Sequence, residues 1–139
     1  MKKLFYSLAL FSLLVSCRSE CTEESSSTET ETSTQTSPTL VKMNVLNSQS
    51  VAQKDVVVMM FKTKVTSASN LPTIEKQATS DANGLATLDL SSYITSNIAA
   101  TYYFEAFKKE GNNLVWVSKT HPEISIKKNQ QVTTSIIVN

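Results

Sequence analysis

The chain is poor in the groups that brace small domains covalently and in those that do chemistry. Its 139 residues include one histidine, one tryptophan and two cysteines. Both cysteines, Cys17 and Cys21, lie upstream of the stretch that can fold, so no disulfide staples a domain and stability has to come from packing. Beyond Arg18 there is no arginine, which removes bidentate contacts to phosphates or guanines. The remaining lysines are scattered and not gathered into a stripe, so nucleic acid is excluded as a partner. The lone histidine, His121, stands beside Pro122 in a loop-like stretch, and no spacing announces a zinc site or a Ser-His-Asp arrangement around it. Asp81 and Asn83 are too few to build a calcium loop. No catalytic residue, metal or cofactor is expected.

Long apolar runs are also missing. The longest, Leu4 to Val15, is twelve mostly apolar residues behind a basic Met1-Lys2-Lys3 start. As a helix it would span about 18 Å, short of the roughly 30 Å of a bilayer's hydrocarbon core. A basic start, a short apolar run and a small residue before Cys17 make the layout of a secretory signal, with cleavage expected between Ser16 and Cys17. The four residues Leu14-Val15-Ser16-Cys17 resemble the lipobox of bacterial lipoproteins. The resemblance implies that the Cys17 thiol receives a diacylglyceryl group and that the chain is held at a membrane through that lipid, with further acylation such as palmitate. Each buried methylene adds about 0.8 kcal/mol, so two or more chains anchor stably where one would be marginal. Cys21 follows the charged Arg18-Ser19-Glu20 and fits no lipobox; it is a free thiol on a tether or half of an intermolecular disulfide.

The net charge of +1 hides an asymmetry. Residues 18–38 carry one Arg and five Glu, whereas residues 39–139 carry ten Lys and seven acids. The first of these segments is almost all Ser, Thr and Glu without a large apolar residue, so residues 17–38 are expected to be a disordered tether with an end-to-end distance of about 25 Å. Its Ser/Thr density would also suit O-linked sugars. An acidic stretch soon after the lipidated cysteine marks surface lipoproteins of the Bacteroidetes, and Glu20, Glu23 and Glu24 loosely resemble it. Arg18 is not the Asp that retains lipoproteins at the inner membrane, so the resemblance places the chain in the outer membrane, its face unassigned.

From Thr39 the pattern becomes short alternating stretches between turn residues, with helical periodicity almost absent, as in an all-β domain. Val41, Met43 and Val45 share the inward face of a first strand. Val56 to Thr66 reads as a long strand with Val57, Met59, Phe61 and Val65 inward, although Val56, Val58 and Met60 make its other face apolar too, which suggests a central strand or a covered face. Ile74 to Thr79 is a short edge strand. Ser80-Asp81-Ala82-Asn83-Gly84 is a turn, because Asp and Asn cap turns and Gly84 accepts a positive φ. It leads into Leu85 to Leu90, with Ala86, Leu88 and Leu90 alternating. Ser91 to Ala100 holds one helical turn capped by Ser91 or Ser92. Thr101 to Glu110 and Leu114 to Lys119 form a hairpin around Gly111-Asn112-Asn113. The first arm turns Tyr102, Phe104 and Ala106 to one face; the second turns either Val115 and Val117 or Leu114 and Trp116. Ile124 to Lys127 and Val132 to Val138 close the chain. Seven or eight strands with turns about ten residues apart predict a two-sheet sandwich.

Residues 40–138 resemble the transthyretin-like or carboxypeptidase-regulatory-like group of Ig-like Greek-key β-sandwiches. The likeness lies in the opening strand Leu40 to Leu46, in Asp55-Val56-Val57-Val58, in Thr79-Ser80-Asp81-Ala82-Asn83-Gly84-Leu85-Ala86-Thr87-Leu88, in Tyr102-Tyr103-Phe104-Glu105-Ala106 and in Val132-Thr133-Thr134-Ser135-Ile136. Ala52-Gln53-Lys54 stands where that group usually has a glycine. Together the resemblances imply a signal peptide (1–16), a lipidated tether (17–38) and an Ig-like domain (39–139). The expected role is non-catalytic, in adhesion, assembly or envelope structure, with an envelope protein or a glycan as partner. The alternative is a glycan- or small-ligand-binding surface module. It rests on Trp116 and Tyr103, whose rings either stack on a ligand from an outer sheet face or fill the core.

Overall fold

The structure, a computed structural model, describes residues 36–139; the leader, Cys17, Cys21 and the tether up to residue 35 lie outside the described residues. Eight strands follow in order: β1 (Leu40–Asn47), β2 (Val56–Phe61), β3 (Ile74–Thr79), β4 (Leu85–Asp89), β5 (Ala100–Glu110), β6 (Asn113–Trp116), β7 (Glu123–Ile126) and β8 (Gln131–Val138). They form a three-stranded sheet, β4-β1-β8, and a five-stranded sheet, β3-β2-β5-β6, in which β7 shares the outer edge of β5 with β6. The fold is an all-β sandwich. All the pairings are antiparallel except β1 with β8, which run parallel from Leu40↔Gln131 to Asn47↔Val138.

Alternation decides what the sheets bury between them. Val41, Met43 and Val45 of β1 face Val56, Val58 and Met60 of β2 and Phe104 and Ala106 of β5, all fully buried, with Ala86, Leu88, Ile126, Ile136 and Val138 completing the core. The inward set expected for β2 is therefore corrected. Val57, Met59 and Phe61 point to the opposite face, where Met59, Phe61, Val65 and Phe107 form a second buried cluster. The physical reason is the register: Val58 opposes Ala106 and Met60 opposes Phe104, so the residues between them must turn outward. The strand also stops at Phe61, and Val65 enters the second cluster from the following loop.

Two further expectations change. Residues 91–93 make a turn and no helix follows, although the Tyr93 and Ile94 amides both donate to the Leu90 carbonyl. Ser91 is not a helix cap. Its amide donates to Asp89 and its hydroxyl accepts from the Thr39 amide, and hydrogen bonds from Ser91 hold the Asp89 carboxyl below its usual range. The second hairpin arm is only four residues long. Of its candidate faces, Val117 reaches the main core, while Leu114 and Val115 are exposed at the edge.

Chain crossings are tied by single buried polar groups. Thr39 accepts the Leu90 amide at its carbonyl and the Asn129 amide at its hydroxyl. Ser80 accepts from the Val56 amide and donates to the Gln53 carbonyl, fixing the Ala52-Gln53-Lys54 segment between β1 and β2. That segment runs directly beside Gly84, where a Cβ would stand 2.8 Å from the Val45 carbonyl oxygen and 3.0 Å from the Ala52 Cβ. Gly84 and Gly111 both have positive φ, at 73° and 59°, but Gly111 has open space around it.

The two glycines should therefore respond differently to alanine. Left-handed backbone alone costs a non-glycine residue about 1–2 kcal/mol, and Gly84→Ala adds a clash with backbone that a turn cannot relax. Urea unfolding of the two variants should show Gly84→Ala losing at least about 1 kcal/mol more than Gly111→Ala. Equal losses would mean that the close approach of β1 and Ala52 does not constrain the turn.

Candidate functional site

Polar chemistry gathers on the outer face of the five-stranded sheet, at the one place where β5 lacks a strand neighbour on its outer edge. β7 covers β5 from Ala100 to Tyr103 and β6 covers it from Phe107 to Glu110. Between them residues 117–122 bow away. The Ser118 hydroxyl fills the gap, receiving the Ala106 amide at 2.6 Å and donating to the Ala106 carbonyl at 3.3 Å. The same segment reaches the other sheet, where Lys119 donates to the Ile137 carbonyl and the Thr120 hydroxyl accepts from the Ile137 amide. One crossover therefore closes this side of the sandwich.

Alternation turns the Glu105 side chain outward into this gap, where it is only 2% exposed. A buried carboxylate has to be hydrogen-bonded. Trp116 donates its indole N–H to Oε2 at 2.8 Å, and His121 Nδ1 lies 2.9 Å from both carboxyl oxygens. With Glu105 accepting, the proton belongs on Nδ1, which leaves Nε2 as the free nitrogen of a ring that is 44% exposed. The indole and imidazole rings lie 5.6 Å apart at 59°. Every buried side-chain polar atom among the described residues has a partner.

The two rings expected to stack on a ligand, Trp116 and Tyr103, are on the outer face as that reading required. Both are half-buried against the second cluster. They do not stand side by side. Trp116 opposes Phe107 and Tyr103 opposes Phe61 and Glu123, so four residues of β5, about 13 Å, separate their rows. Trp116 has its polar edge committed to Glu105, and its ring neighbour is His121. Tyr102 is 7% exposed and belongs to the main core. Asp81 spends Oδ1 on the Asn83 and Leu85 amides, as a turn residue does.

Sequence reasoning missed Glu105 as the centre of this cluster. The available signal was a single acidic residue among Tyr102, Tyr103, Phe104, Ala106 and Phe107, where alternation alone would place it on a sheet face. His121 was also placed in a free loop, but the Phe104 amide donates to the Pro122 carbonyl, continuing the β7 ladder by one step and setting His121 opposite Glu105.

A second polar group lies at β3. The Tyr93 hydroxyl donates to Glu75 at 2.6 Å and Lys62 stands 3.7 Å from the same carboxylate, with its amine 5.6 Å from the Tyr93 ring centre. Burial, then the bond to Glu75, raises the Tyr93 phenol above its usual range. These contacts hold the 91–99 loop to the edge of the sheet. The same outer face carries a groove of about 390 Å³ between β3 and the β5–β6 hairpin, lined by Val57, Met59, Gln77, Thr79, Lys109, Asn112 and Leu114.

The Glu105 cluster works as a strap across the open edge of β5. Glu105→Ala strands the indole N–H and opens a void, and should cost about 2–4 kcal/mol in urea unfolding, with a shift of the Trp116 emission maximum. His121→Ala should cost about 1 kcal/mol, because water reaches the exposed ring position. A Glu105→Ala loss below that of His121→Ala would show that the carboxylate does not hold the crossover.

No known protein family matches the chain, and no curated protein matches it either. Among solved structures it is similar to one titled "The Bacillus anthracis TIE protein", at 14% identity and a TM-score of 0.42 over 73% of this chain and 17% of that one.

Proposed function

We propose that the protein is a membrane-anchored lipoprotein of the cell envelope, in which a non-catalytic, transthyretin-like β-sandwich is held off an outer membrane by a polar tether and serves adhesion, assembly or envelope structure. The reading is carried by Leu14-Val15-Ser16-Cys17 at the end of the apolar run. A thiolate is the best nucleophile in the chain's first residues for a thioether, and Ser16 is small enough for a peptidase to cut beside it. A polar tract and a stand-alone sandwich after such a cysteine make sense as spacer and display module.

The non-catalytic part is supported by how the polar groups near His121 are used. Glu105 is spent on orienting Trp116 and His121, and the Ser118 hydroxyl is spent on the β5 edge. Each is occupied in holding the crossover.

Membrane-extracted protein should have the mass of the polypeptide beginning at Cys17 plus a diacylglyceryl group, with or without a further acyl chain. Cys17→Ser should abolish both the added mass and membrane retention. Unchanged retention in Cys17→Ser, or an unmodified Cys17 thiol on processed protein free in the culture fluid, would refute the anchor. Protease treatment of intact cells would then show which face of the membrane the domain occupies.

A further inference from the structure

The outer face of the five-stranded sheet is covered unevenly. The loop after β2 brings Val65 and Leu71 into the second cluster, and Trp116, opposite Phe107, packs against that cluster from β6. Between β3 and the β5–β6 hairpin lies the groove of about 390 Å³, where Met59 is buried but Val57 is only half-buried and Leu114 is exposed. This volume suits a small molecule and is too little for a protein segment of any length.

Three observations define what fits. The accessible apolar surface is aliphatic, with Val57 half-buried on the floor and Leu114, 43% exposed, on the hairpin side. Gln77 and Thr79 line the β3 side with neutral polar groups. Lys109 supplies the one charge in the lining, and it forms no ion pair among the described residues. Its chain neighbour Glu110 pairs with Asn113, and alternation turns it to the other face. A lone ammonium on a flexible stem is a point charge and lacks the planar fork that favours phosphate dianions. One apolar trough with one unpaired cation at its rim complements one apolar chain with one negative charge.

We propose that this groove binds a free amphipathic carboxylate, a medium-chain fatty acid in size and polarity, with its chain along Val57 and Leu114 and its carboxylate at Lys109. The site does not depend on the lipid anchor. Its ligand is a separate molecule in solution, and the groove lies wholly within the sandwich.

The test is equilibrium dialysis of decanoate, below its micellar concentration, against the full chain produced without lipid attachment, alongside titration of the fluorescence of Trp116, which lies on the same face of β6 as Leu114. Binding of one saturable equivalent is expected, with hexanoate at least about tenfold weaker because methylenes have been removed from an apolar surface. Lys109→Gln should weaken decanoate about three- to fivefold, the worth of a partly exposed charge pair, and Leu114→Asn should weaken it further. Lys127→Gln makes the same change in net charge elsewhere and should leave binding unchanged. Circular dichroism of each variant checks that the sheets remain. Absence of saturable binding, equal affinity for uncharged decanol, or an equal loss in Lys127→Gln would each overturn the assignment.

Discussion

Strand β2 is apolar on both faces, so the sheet that contains it must be covered twice. The three-stranded sheet covers one face completely and accounts for the main core. No third sheet exists among the described residues to cover the other, and the chain improvises with the loop after β2, with the aromatic rings of β5 and with Trp116 from β6. This second layer is thin. It seals Met59, Phe61 and Phe107 but leaves Val57 half-buried and Leu114 in solvent. The groove is the unfinished part of that cover.

A domain without disulfides must also fix its chain crossings by weaker means. Among the described residues three polar side chains are buried, Thr39, Ser80 and Glu105, and each stands where the chain passes between elements. Thr39 ties the start of β1 to the loops at 90 and 129, Ser80 ties the β1–β2 connection to the end of β3, and Glu105 ties the β6–β7 crossover. Burying a polar group is costly unless its bonds are all made, and making them demands one geometry, so these residues select a connection as much as they stabilise it. Glu105 is the most demanding, since its carboxylate is satisfied only when Trp116 and His121 arrive together.

Much of the fold was legible because strand alternation and turn chemistry are local. The edge strand Ile74–Thr79, the Asp81–Gly84 turn and the inward sets of β1, β4 and β5 are found as alternation predicts. β2 was misread in phase because periodicity cannot say which of two apolar faces meets the larger partner; pairing with β5 decides that, and it is nonlocal. The Ser91 turn was misread because serine caps helices and binds strand-end carboxylates with the same groups. Glu105 was invisible as a site because its partners come from β6 and from beyond it, and nothing in a linear pattern brings residues 105, 116 and 121 together. The groove likewise depends on how β3 and the β5–β6 hairpin flank β2, a tertiary fact.

The sandwich thus has one sheet face closed by a second sheet and the other covered by loops and rings and left partly open. The claim beneath this is that the outer face of β2 and β5 is a second core and not a solvent face. Unfolding free energies of Phe107→Ala and Phe104→Ala test it most directly. The account predicts comparable losses, about 3–5 kcal/mol each, for a ring buried on either side of the same strand. A loss below about 1 kcal/mol for Phe107→Ala beside a full loss for Phe104→Ala would contradict it.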